Sequence, residues 1–330
     1  MDKAKIGVII HKNRWPGVLA EEDFRRLRKL GRVVATRKAE PLTDDEAIAI
    51  LKDCDVAIGS WGTPKPNEAI MAGCPKLKLW VHAAGTVKGH FGPHMKGRTM
   101  KIATCKKAIA DNVAQCAISE VVLGLRRVLL SAASNRKGGF LRPDNVLGMH
   151  DATVGVIGAS DVGRRSIELL QANHCGTILL FDPFVNAKQA AALGTKKVAD
   201  LVDLCRRSHA VTLHAPAIPA CAKMLAARHF KAMRDDCVFV NTARGMCIDE
   251  KALLAELKKG RLFAFLDVSE PEPAAENSPL RKLPNVVYSC HLSGGPGTNI
   301  GQQAVNDVAA FLSGGKPTCV VTEDMLDRLA

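Results

Sequence analysis

Aromatic residues are scarce in this chain, at 4% of 330 positions, and no aromatic-interleaved basic patch accompanies its formal net charge of +13. Nucleic acid is therefore not expected as a partner. No uncharged apolar run approaches the roughly 18 residues needed to span a bilayer, so no membrane partner is expected. The first apolar run, Ile6 to Ile10, is too brief for a secretory core and no cleavage site follows it, so the expected location is cytoplasmic. The 11 cysteines are an odd, scattered set without a CxxC pair. That pattern argues against a disulfide framework or a zinc site and for reduced thiols packed as small hydrophobes. His90 and His94 stand four apart like metal ligands, but Gly92 and Pro93 lie between them and no glutamate follows His90, so no metal is expected. Repeats and low-complexity tracts are also absent.

What is present is an ordinary globular composition, 47% hydrophobic and 24% charged. The length exceeds what one hydrophobic core usually fills, which predicts two domains. Short apolar runs alternate with helix-patterned segments almost from end to end, the pattern of an α/β protein with parallel sheets covered by helices. In the first third the expected strands are Ile6–Ile10, Val33–Thr36, Val56–Ile58 and Lys78–Val81, with a capping box at Thr43–Glu46 opening a helix. A second set comprises Val154–Ile157, Ile178–Phe181, Ala210–His214, Cys237–Thr242, Leu262–Val268 and Val286–Ser289. Within it a helix is expected from Asp249 to Lys259, stopped at Gly260. An apolar-periodic segment from Cys116 to about Ala133 is expected to carry the chain between domains. Hinges near residues 110 and 297 give one domain of 1–110 and 298–330 and another of 111–297. Residues 1–110 hold 21 Lys and Arg against 11 Asp and Glu, an excess suited to a solvated basic surface or to steering a small anionic substrate.

The segment Val154 to Gly163 reads as a strand, a tight turn and a helix start in the pattern G-x-S-x-x-G. A dinucleotide fold needs that order, because a pyrophosphate sits on the free N–H groups and positive dipole end of a helix. Gly158, Ser160, Asp161, Val162 and Gly163 are the turn's candidate cofactor residues. Ser160 replaces the second glycine; its side chain is expected to hold the pyrophosphate slightly farther away, with a hydroxyl able to donate a hydrogen bond to it. Asp182 ends the next strand, where a carboxylate accepts from ribose hydroxyls and repels a 2′-phosphate; this favours NAD over NADP.

Three later strands end in chemistry. Asn241–Gly245 carries Arg244, Asp267–Pro273 carries several carboxylates, and Ser289–Gly295 carries His291. Strand carboxyl ends line the ligand crevice of a parallel sheet. With Phe181-Asp182-Pro183 and Leu213-His214-Ala215-Pro216, these motifs closely resemble the D-isomer-specific 2-hydroxyacid dehydrogenases, which include phosphoglycerate, glycerate, D-lactate and formate dehydrogenases. The resemblance is strong from about 150 to 298, thinner over 78–125, and over 1–77 little more than a matching element order.

The resemblance implies two doubly wound parallel-sheet domains, a Rossmann cofactor domain at 111–297 inserted in a flavodoxin-like substrate domain. It implies NAD as cofactor and a homodimer. Arg244 would bind the substrate carboxylate and polarise its carbonyl, and His291 would be the acid/base. Glu272 would pair with His291, orient its ring and keep its proton available near neutrality. Glu270 competes for that role, and Glu272 is preferred because the family's acid immediately precedes the proline matching Pro273. Asp267 would accept from the nicotinamide carboxamide, and His214, Ala215, Pro216, Thr242, Ala243 and His291 join the cofactor set. Ala84, Gly85 and Thr86 resemble the family's carboxylate-binding turn, in which backbone N–H groups form an anion nest. Phosphoglycerate dehydrogenases tend to carry an arginine before that turn and Gly-Val-Asp after it, where this chain has Ala83 and Val87-Lys88-Gly89. This argues against phosphoglycerate as substrate, with Lys88 or His82 as the candidate compensating charges. A binding protein that senses NAD(H), like the co-repressors resembling this family, is the rival reading on the same fold.

Overall fold

The computed structural model describes residues 3–328, and the chain divides into two compact units. One is built from the chain up to Ile109 and from Gly295 on; the other is Ala110–Gly294.

In the first unit β1 (Lys5–Val8), β2 (Arg32–Ala35), β3 (Val56–Gly59), β4 (Leu79–His82) and β5 (Lys101–Thr104) run parallel in the order β2-β1-β3-β4-β5. That is the flavodoxin-like order, with its reversal between β1 and β3. Successive side chains alternate between faces. Ile6, Val8, Val56, Ile58, Leu79 and Val81 bury one face against Phe24 and Leu27 of helix Glu21–Leu30 and Ile300, Ala304 and Val308 of helix Thr298–Leu312. Ala57, Trp80 and Ile102 bury the other against helices Asp44–Leu51 and Glu68–Gly73. Thr43 and Glu46 form the capping box at the first of these, satisfying two orphan N–H groups.

In the second unit β6 (Thr153–Ile157), β7 (Thr177–Phe181), β8 (Lys196–Lys197), β9 (Ala210–Leu213), β10 (Cys237–Asn241), β11 (Leu262–Leu266) and β12 (Val286–Tyr288) run parallel in the order β8-β7-β6-β9-β10-β11-β12. Counted within the unit this is 3-2-1-4-5-6 with a seventh strand added, the dinucleotide-binding order with its switch point between β6 and β9. A last strand, β13 (Val320–Val321), returns to the first sheet and pairs antiparallel with β5.

Three strands lie outside the sequence expectation: β5 opens on a lysine, β8 is two lysines, and β13 has two residues, so none offers an apolar run. The expected helix from Cys116 begins a decade earlier. Helix Lys106–Leu125 ends before Arg127, whose φ of +52° breaks it from helix Val128–Asn135. The Arg127 guanidinium holds that break, donating to the carbonyls of Gly124 (3.0 Å) and Asp236 (2.7 Å) above the Phe263 ring. Helix Lys106–Leu125 is long and apolar enough to cross a membrane by length and composition, although Asp111 and Glu120 break its uncharged run. Here Ala117, Ile118, Val121 and Leu125 pack on Val154, Val156 and Val238 of the second sheet.

Candidate active site

At the β6–β9 switch point the chain turns through Gly158 with φ +93° and enters helix Asp161–Ala172. A Cβ on Gly158 would lie 2.9 Å from the His214 carbonyl, and one on Gly163 only 2.0 Å from the Gly158 carbonyl, so both positions require glycine for close approach. Ser160 is the N-cap: its oxygen accepts from Gly163 N–H (3.3 Å). Its hydroxyl donates to the His214 carbonyl (2.9 Å), so in this arrangement its one proton is committed within the chain. The N–H groups of Ser160 and Val162 have no acceptor among the described residues. They leave a glycine-floored cradle of free donors at a helix N-terminus, which fits a dinucleotide pyrophosphate.

Asp182 follows β7 and accepts from Ala159 N–H (2.7 Å) and Phe184 N–H (2.8 Å), one on each oxygen. Each oxygen retains a lone pair, as ribose hydroxyls require. His214 lies below the turn, bonded to Thr212 Oγ1 (3.0 Å) and pushed down to about 3 by burial; Ala215 is buried and Pro216 half-buried beside it. His214 is thus a neutral wall.

After β10, Thr242 leaves its buried Oγ1 without a hydrogen-bond partner, and Asn241 fixes the turn by bonding Ala243 N–H and the Arg244 carbonyl. Arg244 is half-buried and donates from Nη1 to the Ala243 carbonyl (2.6 Å). Its remaining guanidinium donors make no bond within the described chain. Gly245 packs on the Ser269 carbonyl so closely that a Cβ would stand 2.1 Å from it, which ties this turn to the loop after β11.

That loop carries Asp267, Glu270 and Glu272. Asp267 is buried and accepts from Ser289 Oγ (2.7 Å), Leu292 N–H (2.8 Å) and Ser293 N–H (2.9 Å), while its carbonyl takes His291 N–H (2.9 Å). Burial pushes its carboxyl up, but the Ser293, Ser289 and Leu292 donors outweigh that and hold it below the usual carboxylate range. This bracket keeps His291 at φ +54°, a left-handed conformation that a non-glycine residue adopts only when its surroundings impose it. So held, His291 places Nδ1 2.6 Å from Glu272 Oε1. The Glu270 carboxylate makes no bond to His291 among the described residues, and its backbone N–H donates to Glu250 Oε2 (3.2 Å).

In the first unit, the turn after β4 has Ala84 buried, Gly85 half-buried and Thr86 exposed. Thr104 Oγ1 shares its one proton between the carbonyls of Ala84 (2.8 Å) and Gly85, and Cys105 N–H donates to that of Ala84 (3.1 Å). With its carbonyls tied back, the turn presents the N–H groups of Gly85 and Thr86, which have no acceptor among the described residues. An anion nest has that arrangement. His82 cannot supply a compensating charge: burial, aided by Lys65, pushes it down to about 4, and it packs edge-on against His90 at 4.4 Å. Lys88 is exposed beyond the turn.

Two participants escape a reading of the sequence. Thr104 ends a strand with no apolar run, and Glu120 sits mid-helix. The Glu120 carboxyl is pushed up to about 7 by burial and by Asp267; its Oε2 is buried without a partner and its Oε1 lies 3.7 Å from Cys116 Sγ.

Residues 119–293 match the family profile described as D-isomer specific 2-hydroxyacid dehydrogenase, NAD binding domain. A D-3-phosphoglycerate dehydrogenase of Methanocaldococcus jannaschii is 30% identical over 302 residues, 88% of this chain and 55% of that protein. The chain thus spans about half the length of that relative and of a second one, from Archaeoglobus fulgidus. A glyoxylate/hydroxypyruvate reductase B of Escherichia coli is 27% identical, with 87% of this chain and 88% of that protein covered. Among solved structures, a D-isomer specific 2-hydroxyacid dehydrogenase from Lactobacillus delbrueckii in its NAD complexed form has a TM-score of 0.78 at 19% identity, covering 97% of this chain and all of that one. At that identity the likeness is one of fold.

Proposed function

Because the chain belongs to the D-isomer specific 2-hydroxyacid dehydrogenase family, we propose that it is an NAD-dependent oxidoreductase acting on a small 2-oxo or D-2-hydroxy acid. The observation that carries this reading is the 2.6 Å contact of His291 Nδ1 with Glu272, in the same unit as the glycine-floored turn. A histidine whose one nitrogen is held by a carboxylate is oriented to use the other as acid and base. NAD(H), when bound, supplies or accepts the hydride.

In the reducing direction His291 gives its proton to the carbonyl oxygen, and the acid leaves as the hydroxy acid. Glu272 holds the ring and offsets its positive charge. Arg244 receives the substrate carboxylate through its free donors and polarises the carbonyl. In the first unit the Gly85 and Thr86 N–H groups form a turn suited to a carboxylate. Gly158 to Gly163 hold the pyrophosphate, Asp182 the ribose and Asp267 the carboxamide, with His214, Ala215, Pro216, Thr242 and Ala243 lining the cofactor. Asp182 makes NADH the preferred form. A cytoplasmic location accords with this chemistry. The second unit exposes Leu123, Leu129 and Val287 around one groove, with Phe140 nearby in sequence at 77% exposure, and we assign that apolar surface to a homodimer.

The test is a panel of glyoxylate, hydroxypyruvate, pyruvate, 2-oxoglutarate and phosphohydroxypyruvate with NADH and with NADPH. At least one acid should be reduced, faster with NADH. Glu272→Gln should lower kcat by about tenfold or more while leaving the NADH Kd unchanged, and Glu270→Gln should change neither quantity. NADH binding without turnover of any acid would favour the NAD(H)-sensing alternative.

A further inference from the structure

The first unit contains a cavity of about 330 Å³ beside the carboxyl ends of β1 and β2, at the edge of its sheet. That volume lies at the lower end of the range for small-molecule pockets. Its position separates it from the Ala84–Thr86 turn: β2 and β4 are three strand spacings apart, about 14 Å.

The walls divide into an apolar body and a charged rim. Trp15 is fixed by its indole N–H, which donates to the Ile10 carbonyl (2.6 Å), and its ring lies 4.7 Å from that of Phe24. Val33 and Ala35 of β2 continue the apolar wall. On the rim stand Lys12, Arg28 and Arg37, with Glu21 as the one acid. Glu21 is committed to Arg28 at 2.8 Å, and the Arg28 guanidinium lies 5.9 Å from the centre of the Phe24 ring. Lys12 and Arg37 have no acidic partner among the described residues, although the neighbouring Lys38 has one in Glu46. The cavity therefore carries two uncompensated positive charges over an aromatic wall, within the part of the chain where the basic excess is concentrated.

We propose that this cavity is a second binding site, for a small organic anion that places a carboxylate or phosphate between Lys12 and Arg37 and an apolar body against Trp15 and Phe24. It is distinct from the turn that takes the reacting acid. Neither half of such a ligand suffices: a bare anion lacks the apolar contact, and an uncharged ring leaves the two cations solvated.

Calorimetric titration of the whole protein with benzoate and with phenyl phosphate tests this, with acetate and benzyl alcohol as head-only and body-only controls. At least one of the two ring anions should bind one-to-one, about tenfold or more tighter than either control. The double variant Lys12→Gln/Arg37→Gln should weaken that binding by about tenfold or more, with NADH affinity unchanged as the check that the chain is folded. Lys196→Gln, a change of surface charge elsewhere, should leave it alone. Absence of binding by both ring anions, equal binding of acetate, or full retention in the double variant would each overturn the assignment. The last result would place the anion at the substrate turn or Arg244. None of these outcomes depends on turnover of a 2-oxo acid, so this proposal and the proposed function fail separately.

Discussion

Arg244 shows how much one side chain is asked to do. Its Nη1 is tied to the carbonyl of Ala243, the residue before it, which fixes the guanidinium plane and leaves the other donors for a ligand. Lysine would keep the charge and lose both the tether and the paired donors. Arg244→Lys should cost about a hundredfold or more in kcat/KM for the best acid, on the order of 3 kcal/mol, with NADH affinity little changed. Near-parental kinetics would remove Arg244 from the site. Arg244, Asp267, Glu272 and His291 could be singled out in the sequence because each follows an apolar run that becomes a strand, and strand ends gather at one edge of a parallel sheet. What escaped was the commitment of individual protons. The Ser160 hydroxyl is taken by a carbonyl 54 residues away, and His82 is made neutral by burial, aided by Lys65. Neither is a property of local sequence.

At the scale of elements, helix Lys106–Leu125 brings Glu120 beside Asp267, and Cys116, the other ionisable group there, stays neutral because burial pushes its thiol up to about 12. The Glu120 carboxyl at about 7 in the fold stands above its ordinary 4.5, so the folded state holds this proton more tightly than the unfolded one. Stability from this group is therefore fully present below about pH 4.5, falls as pH rises towards 7 and stays low above it, a loss on the order of 3 kcal/mol. Glu120→Gln carries no such charge. Its Tm should exceed the parent's at pH 8, with the difference shrinking towards pH 5, as followed by calorimetry; a constant difference across that range would contradict the assignment. This helix was half-legible. Its later turns show an apolar period, but its start at Lys106-Lys107 does not. Its end depends on Arg127 reaching the Asp236 carbonyl, 109 residues on. Central strands such as β6, β9 and β10 are continuous apolar runs and could be read directly. At the edges, β8 and β13 have two residues each, too few to show a run, although Val321 of β13 is buried in the core of the first sheet.

At the scale of the whole molecule, the first unit is assembled from two stretches of chain that the second unit separates in sequence. Helix Thr298–Leu312 supplies Ile300, Ala304, Val305 and Val308 to the core around β1 and β3, and β13 closes the edge beside β5. The second unit needs nothing outside Ala110–Gly294 for its sheet. Time therefore enters the architecture. During synthesis the later-encoded unit can close its core first, while the earlier-encoded β1 to β5 wait for a helix about 190 residues downstream, since domains fold as units once their residues are available. A protease pulse during synchronised translation should find the fragment around Ala110–Gly294 protected before the one beginning near Lys5; the reverse order would show that β1 to β5 fold without their last helix. The waiting sheet exposes Ile6, Val56 and Leu79 meanwhile, so aggregation and chaperone demand should track how quickly helix Thr298–Leu312 is made.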